Sequence, residues 1–110
     1  MADIELLGSF EEQVMLAIVR TADEAYGMVV RRELERVTGR DVTIGAVYAT
    51  LDRLEAKRLV RSVRAGAGSA SRRVFALTRR GAEALVDTRM IRERLWKGID
   101  AERLVGRAVG

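Results

Sequence analysis

The chain has 110 residues, of which 48% are apolar and 33% charged, and it contains no cysteine and no histidine. This length and composition are typical of one globular domain. Without cysteine or histidine the chain lacks disulfides, soft metal ligands, thiol nucleophiles and the commonest general base, so we expect no cofactor, no metal and no enzymatic activity. No segment approaches the roughly 18 apolar residues of a membrane span and no signal segment is visible, so we expect a cytoplasmic protein without a membrane partner.

The charged residues are unevenly distributed. The first 30 residues contain six acids and one arginine, whereas residues 31–80 contain thirteen Lys or Arg and only five Asp or Glu. A basic middle segment of this kind is typical of proteins that bind a polyanion. A coding bias toward arginine would produce the same excess, so charge alone does not decide between the two.

The first predicted helix spans about residues 10–21, behind a capping-box pattern formed by Ser9 and Glu12. Six consecutive apolar residues run from Val14 to Val19. A surface helix of a small monomer needs only one apolar stripe. The run therefore favours two buried faces, one for the core and one for a partner.

The second predicted helix spans about residues 25–37 and ends at Gly39, a residue type that suits the left-handed conformation after a helix. Gly27 is unfavourable inside a helix by about 1 kcal/mol relative to Ala, so it indicates close approach by a neighbouring backbone, the alternative being that glycine is simply tolerated near a helix end. The apolar residues that recur at helical spacing predict its buried stripe: Tyr26, Val29, Val30, Leu34 and Val37.

The third predicted helix, at about residues 43–58, carries the strongest functional signal. Thr43 can cap its first free N–H groups, and an apolar stripe from Ile44 to Leu54 suits a core. A helix with a small-residue face can enter a DNA groove, although many ordinary amphipathic helices share this pattern. The opposite face begins with small residues and has a tyrosine at its border: Gly45, Ala49, Asp52, Arg53, Ala56 and Tyr48.

Two short runs, residues 60–65 and 72–77, alternate in polarity and predict a β-hairpin around a loop of small residues at 66–71. Its basic residues are Arg61, Arg64, Arg72 and Arg73. The apolar residues expected on its packed side are Val63, Val74, Phe75 and Leu77.

Thr78 can cap a last helix, predicted at about residues 79–104. This helix is long for so short a chain, and a domain that ends near residue 78 can cover little of it. We therefore expect it to pair with a second subunit. The residues assigned to the dimer interface, or to a ligand site within it, are Leu95, Trp96, Ile99 and, from the first helix, Met15.

Three helices, a hairpin and a final helix are the order of a winged helix-turn-helix protein, mainly α with a small β-hairpin. In that fold the third helix enters the major groove of double-stranded DNA and the hairpin reaches along its backbone. We expect residues 1–78 to form this domain and residues 79–110 a C-terminal dimerisation helix. The residues predicted to face DNA are Thr43, Gly45, Tyr48, Ala49, Arg53, Lys57, Arg64, Arg72 and Arg73.

Six motifs occur in order between Tyr26 and Gly81: Tyr26-Gly27, Gly45-Ala-Val-Tyr48, Leu51-Asp-Arg-Leu-Glu55, Leu59-Val-Arg-Ser62, Arg73-Val-Phe-Ala-Leu-Thr78 and Gly81. Their order and spacing resemble the signature of the PadR family of bacterial transcriptional regulators. The sequence departs from that signature at Arg58, where the family often has glycine, and at Val29, where an acidic residue is common.

The resemblance implies a winged-helix homodimer that represses transcription and is released by a small molecule. Such a dimer would bind an inverted-repeat operator, one half-site per subunit. In some small members of the family an interfacial tryptophan lines a pore that holds flat hydrophobic drugs. The resemblance therefore implies a hydrophobic or aromatic effector near Trp96.

The residues alone leave one other function open and argue against a second. The basic face of a winged helix could bind an acidic protein instead of DNA, although the small residues at the start of the third helix favour a close fit to a groove. An enzyme would have to use Asp, Glu, Lys or Tyr, and the sequence contains no convergent carboxylate pair and no phosphate-binding glycine loop.

Overall fold

The computed structural model describes residues 5–68 and 72–110 of the chain. The order of its helices and strands confirms the predicted winged helix-turn-helix architecture, which is mainly α with one small β-hairpin. We call this hairpin the wing. The tip of the predicted loop, residues 69–71, lies outside the described residues. The elements are α1 (Ser9–Thr21), a 3₁₀ turn (Ala22–Glu24), α2 (Gly27–Thr38), α3 (Ile44–Ala56), β1 (Val60–Ala65), β2 (Arg72–Leu77), α4 (Arg79–Trp96) and α5 (Ala101–Arg107).

Local signals determine several helix ends. Gly39 terminates α2 in the left-handed conformation, with a φ of 68°, as predicted. The Thr43 hydroxyl accepts a hydrogen bond from the Ala46 N–H at 3.1 Å, and the Thr78 hydroxyl accepts one from the Gly81 N–H at 3.0 Å. Each hydroxyl satisfies an N–H group that the first turn of a helix leaves unpaired, so both predicted caps are confirmed.

The beginnings of α1 and α2 differ from the prediction. Ser9 is the first residue of α1 rather than its cap, and the Gly8 N–H donates a hydrogen bond to Glu11 Oε1 at 2.9 Å. Helix α2 begins two residues later than predicted because the Ala25 carbonyl accepts a hydrogen bond from the Phe75 N–H of β2 at 3.0 Å. The segment before α2 therefore lies beside the wing.

One apolar core joins the first three helices to the wing. Met15, assigned to the dimer interface from the sequence, has no exposed surface and belongs to this core. Val37, predicted to be buried, is 54% exposed because it lies at the open edge of a groove between α1 and α2, near Leu16. The buried apolar residues are Val14, Met15, Ala17, Ile18, Ala25, Val30, Leu34, Val47, Leu51, Leu54, Leu59, Val60, Phe75 and Ala84.

The wing strands pair antiparallel, with Val60 opposite Leu77. Successive side chains of a strand point to opposite faces, so Phe75 and Val74 cannot both pack inward. Phe75 is buried, whereas Val63 lies opposite Val74 in the register and is 60% exposed. The prediction that Val63 and Val74 pack on the same side as Phe75 is therefore wrong.

A tight junction connects α3, the wing and α4. After α3 ends, Arg58 adopts the left-handed conformation with a φ of 62°, and the Leu59 N–H donates to the Leu54 carbonyl at 3.0 Å. This is the hydrogen-bond pattern of a Schellman motif, in which glycine is the usual residue at the left-handed position. At Gly81 of α4, an added Cβ would lie 1.9 Å from the Leu59 carbonyl oxygen, so only glycine allows α4 to start against this turn.

The C-terminal segment is not one helix to residue 104, as predicted, but two. Gly98, with a φ of 83°, interrupts the helical backbone, and the Asp100 carboxylate accepts a hydrogen bond from the Glu102 N–H at 2.9 Å to start α5. Helix α4 is attached to the domain by a hydrogen bond from the Leu7 N–H to Thr88 Oγ1 at 3.2 Å. Residues 92–110 are all exposed in the single chain.

Candidate nucleic-acid interface

The first half of α3 presents three small residues on its outer surface, beside Tyr48. Gly45, Ala46 and Ala49 are exposed, and a Cβ added at Gly45 would have no atom of the chain within 4 Å. Val47 on the inner face is completely buried. Glycine at position 45 is therefore not required by internal packing, and the surface above it can be approached closely.

Tyr48 lies at the junction of α2 and α3 and is 39% exposed. Its ring packs directly on Gly27, where an added Cβ would lie 2.4 Å from the ring carbon Cζ. The close approach predicted for Gly27 is thus made by this side chain rather than by a backbone. Because Gly27 is the first residue of α2, the Tyr48 hydroxyl is placed beside the start of that helix.

A cleft of about 470 Å³ lies between the start of α2, Tyr48 and the wing. Among the described residues, four arginines and no carboxylate line it, so its walls are positively charged. The Arg72 guanidinium stacks 5.2 Å from the centroid of the Tyr26 ring. Such a concave basic surface can hold a chain of phosphates. The lining residues are Tyr26, Met28, Val29, Arg32, Tyr48, Arg64, Arg72 and Arg73.

Four residues of this cleft were not among the predicted DNA contacts: Tyr26, Met28, Val29 and Arg32. Tyr26 and Val29 were assigned to the buried stripe of α2. Both lie on the cleft because α2 begins against Tyr48. The Tyr26-Gly27 pair was the available signal, since a glycine at the start of a helix allows an aromatic ring from a neighbouring helix to contact it.

Two predicted contacts on α3 are paired inside the chain. Lys57 Nζ lies 2.9 Å and Arg53 Nε 3.6 Å from Glu11 Oε2, and Arg53 also donates to Thr50 Oγ1 at 3.3 Å. Burial alone would raise the pKa of Glu11, but the Gly8 N–H and Lys57 together lower it. The side chains of Arg53 and Lys57 nevertheless remain 53% and 38% exposed.

The three predicted arginine contacts of the wing differ in their surroundings. Arg73 forms ion pairs with Asp52 at 3.2 Å and Glu55 at 2.6 Å. Arg64 and Arg72 are exposed, and neither forms an ion pair within residues 5–68 and 72–110. Arg64 and Arg72 therefore keep their full charge available to an external anion.

The second predicted site lies at the end of α4. Leu95 is 72%, Trp96 48% and Ile99 49% exposed, and the Ile99 N–H donates to the Trp96 carbonyl at 2.8 Å. These three apolar residues are close together around the end of the helix. Met15, buried in the core, is not part of this surface.

Residues 5–68 and 72–110 contain neither a membrane-spanning helix nor a metal-binding cluster of acids. No helix there is both long enough and apolar enough to span a bilayer. Nor does any group of three or more Asp or Glu side chains there have the arrangement of a metal site.

Solved structures of the same architecture come from several organisms. RosR of H. salinarum is 28% identical, with a TM-score of 0.67 over 88% of this chain and 84% of that one. A PadR family transcriptional regulator from Eggerthella lenta is 25% identical, with a TM-score of 0.67 over 86% and 82% of the two chains. A PadR-like regulator from Bacillus cereus, 19% identical, matches in fold with a TM-score of 0.69 over 91% and 93%.

The sequence itself matches a family model. Residues 15–87 match the transcriptional regulator PadR-like family, which is more than half of the chain and includes α2, α3 and the wing. No curated protein is similar enough to be counted as a relative. The chain therefore belongs to the PadR-like family of DNA-binding transcriptional regulators.

Proposed function

We propose that the protein is a homodimeric repressor that acts in the cytoplasm and binds an inverted repeat in double-stranded DNA, one half-site per subunit. The observation that carries this proposal is the open surface at Gly45 on α3, which lies next to a cleft lined by four arginines. A groove-reading helix needs such a face, and a DNA backbone needs such a cleft.

In this proposal the first half of α3 enters the major groove and one phosphate chain follows the cleft. Thr43, Gly45 and Ala49 face the bases, where small side chains let the helix approach. Tyr48, Arg64 and Arg72 contact phosphates, and we add Tyr26 and Arg32 to this group. Arg53 and Lys57 are retained as contacts at the far end of α3 because both remain partly exposed while paired with Glu11.

We propose that α4 and α5 form the dimer interface. Several large apolar side chains on these two helices and in the turn between them are exposed in the single chain, and exposed apolar surface is unfavourable in water. Helix α4 is fastened to α1 by an ion pair between Arg92 and Glu12, so pairing two α4 helices would also set the distance between the two α3 helices. The exposed side chains are Val86, Met90, Leu95, Trp96, Ile99, Leu104 and Val105.

A small hydrophobic or aromatic molecule bound beside Trp96 would release the repressor from DNA. A ligand that binds between two dimerisation helices favours one separation of the two α3 helices and so changes the affinity for two half-sites. Trp96 is the single tryptophan of the chain, so its fluorescence reports this site alone. Titration with planar aromatic dyes should quench or shift it, and an unchanged spectrum would remove Trp96 from the proposed effector site.

The decisive test is binding to the DNA upstream of the protein's own gene, measured by gel shift at low salt. We expect a retarded complex of one dimer per site, and an affinity that falls steeply with salt because Lys and Arg displace counterions. Sedimentation of the free protein should give the mass of a dimer. Absence of retardation at low salt, with capture of an acidic protein by the same face, would instead favour a protein-binding winged helix.

A further inference from the structure

The wing is fastened to the recognition helix by one cluster of polar side chains around Arg73. Its guanidinium lies 2.6 Å from Glu55 Oε1 and 3.2 Å from Asp52 Oδ1, both on α3. The same guanidinium stacks over the ring of Phe75 at 4.8 Å from the centroid. Its donors are therefore directed toward the protein, and the side chain is only 29% exposed.

Glu55 connects α3 to the other strand of the wing as well. Its second oxygen, Oε2, accepts hydrogen bonds from the Ser62 N–H at 3.0 Å and the Ser62 hydroxyl at 2.8 Å. The hydrogen bond from Ser62 is the main reason why the pKa of Glu55 is lowered, and Arg73 adds to the effect. One carboxylate therefore joins α3 to β1 through Ser62 and to β2 through Arg73.

The neighbouring wing arginines have no such partners. Arg64 lies directly opposite Arg73 in the register of the hairpin, and Arg72 precedes it. Neither forms an ion pair with any carboxylate in residues 5–68 and 72–110. If Arg73 turned outward to a phosphate, it would abandon two carboxylates on α3 and leave their negative charge uncompensated near the DNA. Arg64 and Arg72 can contact a phosphate without this cost.

We infer that Arg73, Glu55 and Ser62 are positioning residues, which hold the wing at one angle to α3 so that Arg64 and Arg72 reach the DNA backbone while α3 is in the groove. Arg73 itself does not contact DNA. The inference rests on the proposed DNA-binding function. The inference also predicts the direction in which DNA affinity changes when Glu55 is replaced. Removal of a negative charge close to DNA would ordinarily strengthen binding, whereas loss of a positioning residue should weaken it.

The test compares Glu55→Ala, Ser62→Ala and Arg73→Ala in binding to a labelled duplex from the upstream region, over a series of salt concentrations. We expect Glu55→Ala to weaken binding by roughly threefold to tenfold, which corresponds to the net contribution of one ordinary hydrogen bond. Ser62→Ala changes no charge and should weaken binding less. The salt slope is the steepness with which the logarithm of the binding constant falls with the logarithm of the salt concentration. Arg73→Ala should weaken binding without changing this slope, whereas Arg72→Ala should lower its magnitude by about 0.9, the value for one phosphate contact.

Asp41→Ala is the control for the removal of an acid. Asp41 is exposed, lies just before α3 and forms no ion pair within the described residues, so its loss should leave binding unchanged or slightly stronger. Tighter binding by Glu55→Ala, or a salt slope lowered by about 0.9 in Arg73→Ala, would refute the inference and make Arg73 a contact. Thermal unfolding verifies that each variant is folded at the assay temperature. If Glu55→Ala or Arg73→Ala is unfolded there, the DNA binding of Ser62→Ala decides the test instead.

A measurement without DNA separates this inference from the proposed function. Because the Ser62 N–H donates to Glu55, its hydrogen exchange, followed by NMR, should become faster in Glu55→Ala than in Asp41→Ala. An unchanged exchange rate would refute the cluster. Failure of the unsubstituted protein to bind DNA would refute the proposed function instead, whatever the exchange rate.

Discussion

Replacement of Gly45 by alanine should make the protein more stable and its DNA binding weaker. The new Cβ would have no neighbour in the chain within 4 Å, and Gly45 does not have a positive φ, so the folded subunit accepts it without strain. Alanine favours a helix over glycine by up to about 1 kcal/mol, with less expected in the first turn where Gly45 lies. This gain corresponds to a rise in the melting temperature of a few degrees.

The effect on binding has the opposite sign because the methyl group lies on the face that would meet the major groove. Insertion of a methyl group into a well-packed contact costs roughly 1–3 kcal/mol, so the dissociation constant should increase by about fivefold or more. The two quantities are measured by thermal unfolding and by fluorescence anisotropy on a labelled operator duplex. Weaker binding by a more stable protein cannot be caused by unfolding.

Gly106→Ala provides the matched control. Gly106 is a glycine of α5 that also has no atom within 4 Å of an added Cβ, but it lies outside the proposed DNA interface. Because α5 belongs to the proposed dimer interface, sedimentation must first show that the variant is still a dimer, and the dimer should then bind DNA with unchanged affinity. If Gly45→Ala binds DNA as tightly as the parent protein, the start of α3 is not in the groove and the proposed orientation of the recognition helix is wrong.

Three further predictions concern stability. Arg58→Gly should raise the free energy of unfolding by roughly 0.5–1 kcal/mol, since Arg58 has a φ of 62°; Arg58→Ala, which keeps the strain, should bring no such gain in chemical denaturation. Gly81→Ala should lower the free energy of unfolding by more than about 2 kcal/mol, because the added Cβ would lie 1.9 Å from the Leu59 carbonyl oxygen. A melting temperature equal to that of Gly106→Ala would contradict the packing of α4 against this carbonyl group. Glu11→Gln should be less stable than the parent at neutral pH. Since the pKa of Glu11 is lowered from 4.5, its stabilising effect is complete above pH 4.5 and is lost as the pH falls. The free energies of unfolding of the two proteins should therefore become equal in acid. A difference that stays constant with pH would show that the charge of Glu11 does not stabilise the fold.

The parts of the fold that the sequence predicted are those set by local chemistry. Gly39, Thr43 and Thr78 mark helix ends because each acts on backbone groups within a few residues of itself. The strands at residues 60–65 and 72–77 were predicted with correct bounds for the same reason, since their alternation needs no knowledge of distant residues.

Features that depend on distant contacts were missed. Helix α2 begins late because the Ala25 carbonyl is taken by β2, which lies about fifty residues further along the chain. Met15 was assigned to the wrong environment because a run of apolar residues does not reveal which of them meets the core, and Val37 because helical spacing does not reveal where the neighbouring helix stops covering the stripe. The division of the last helix into two was missed for another reason. Gly98 and Asp100 are local signals of a helix end and a helix start, but apolar residues on both sides of them favoured one continuous helix.

The candidate DNA interface shows the same limit for charge. The excess of Lys and Arg in residues 31–80 predicted a basic face, and the arginine-lined cleft agrees with it. A count of basic residues nevertheless overestimates the charge available to DNA, because Arg53 and Lys57 share Glu11 and Arg73 is held by two acids of α3. Since an ion pair formed within the protein releases no counterion when DNA binds, the salt dependence should reflect the unpaired arginines of the cleft and not the net charge of the segment.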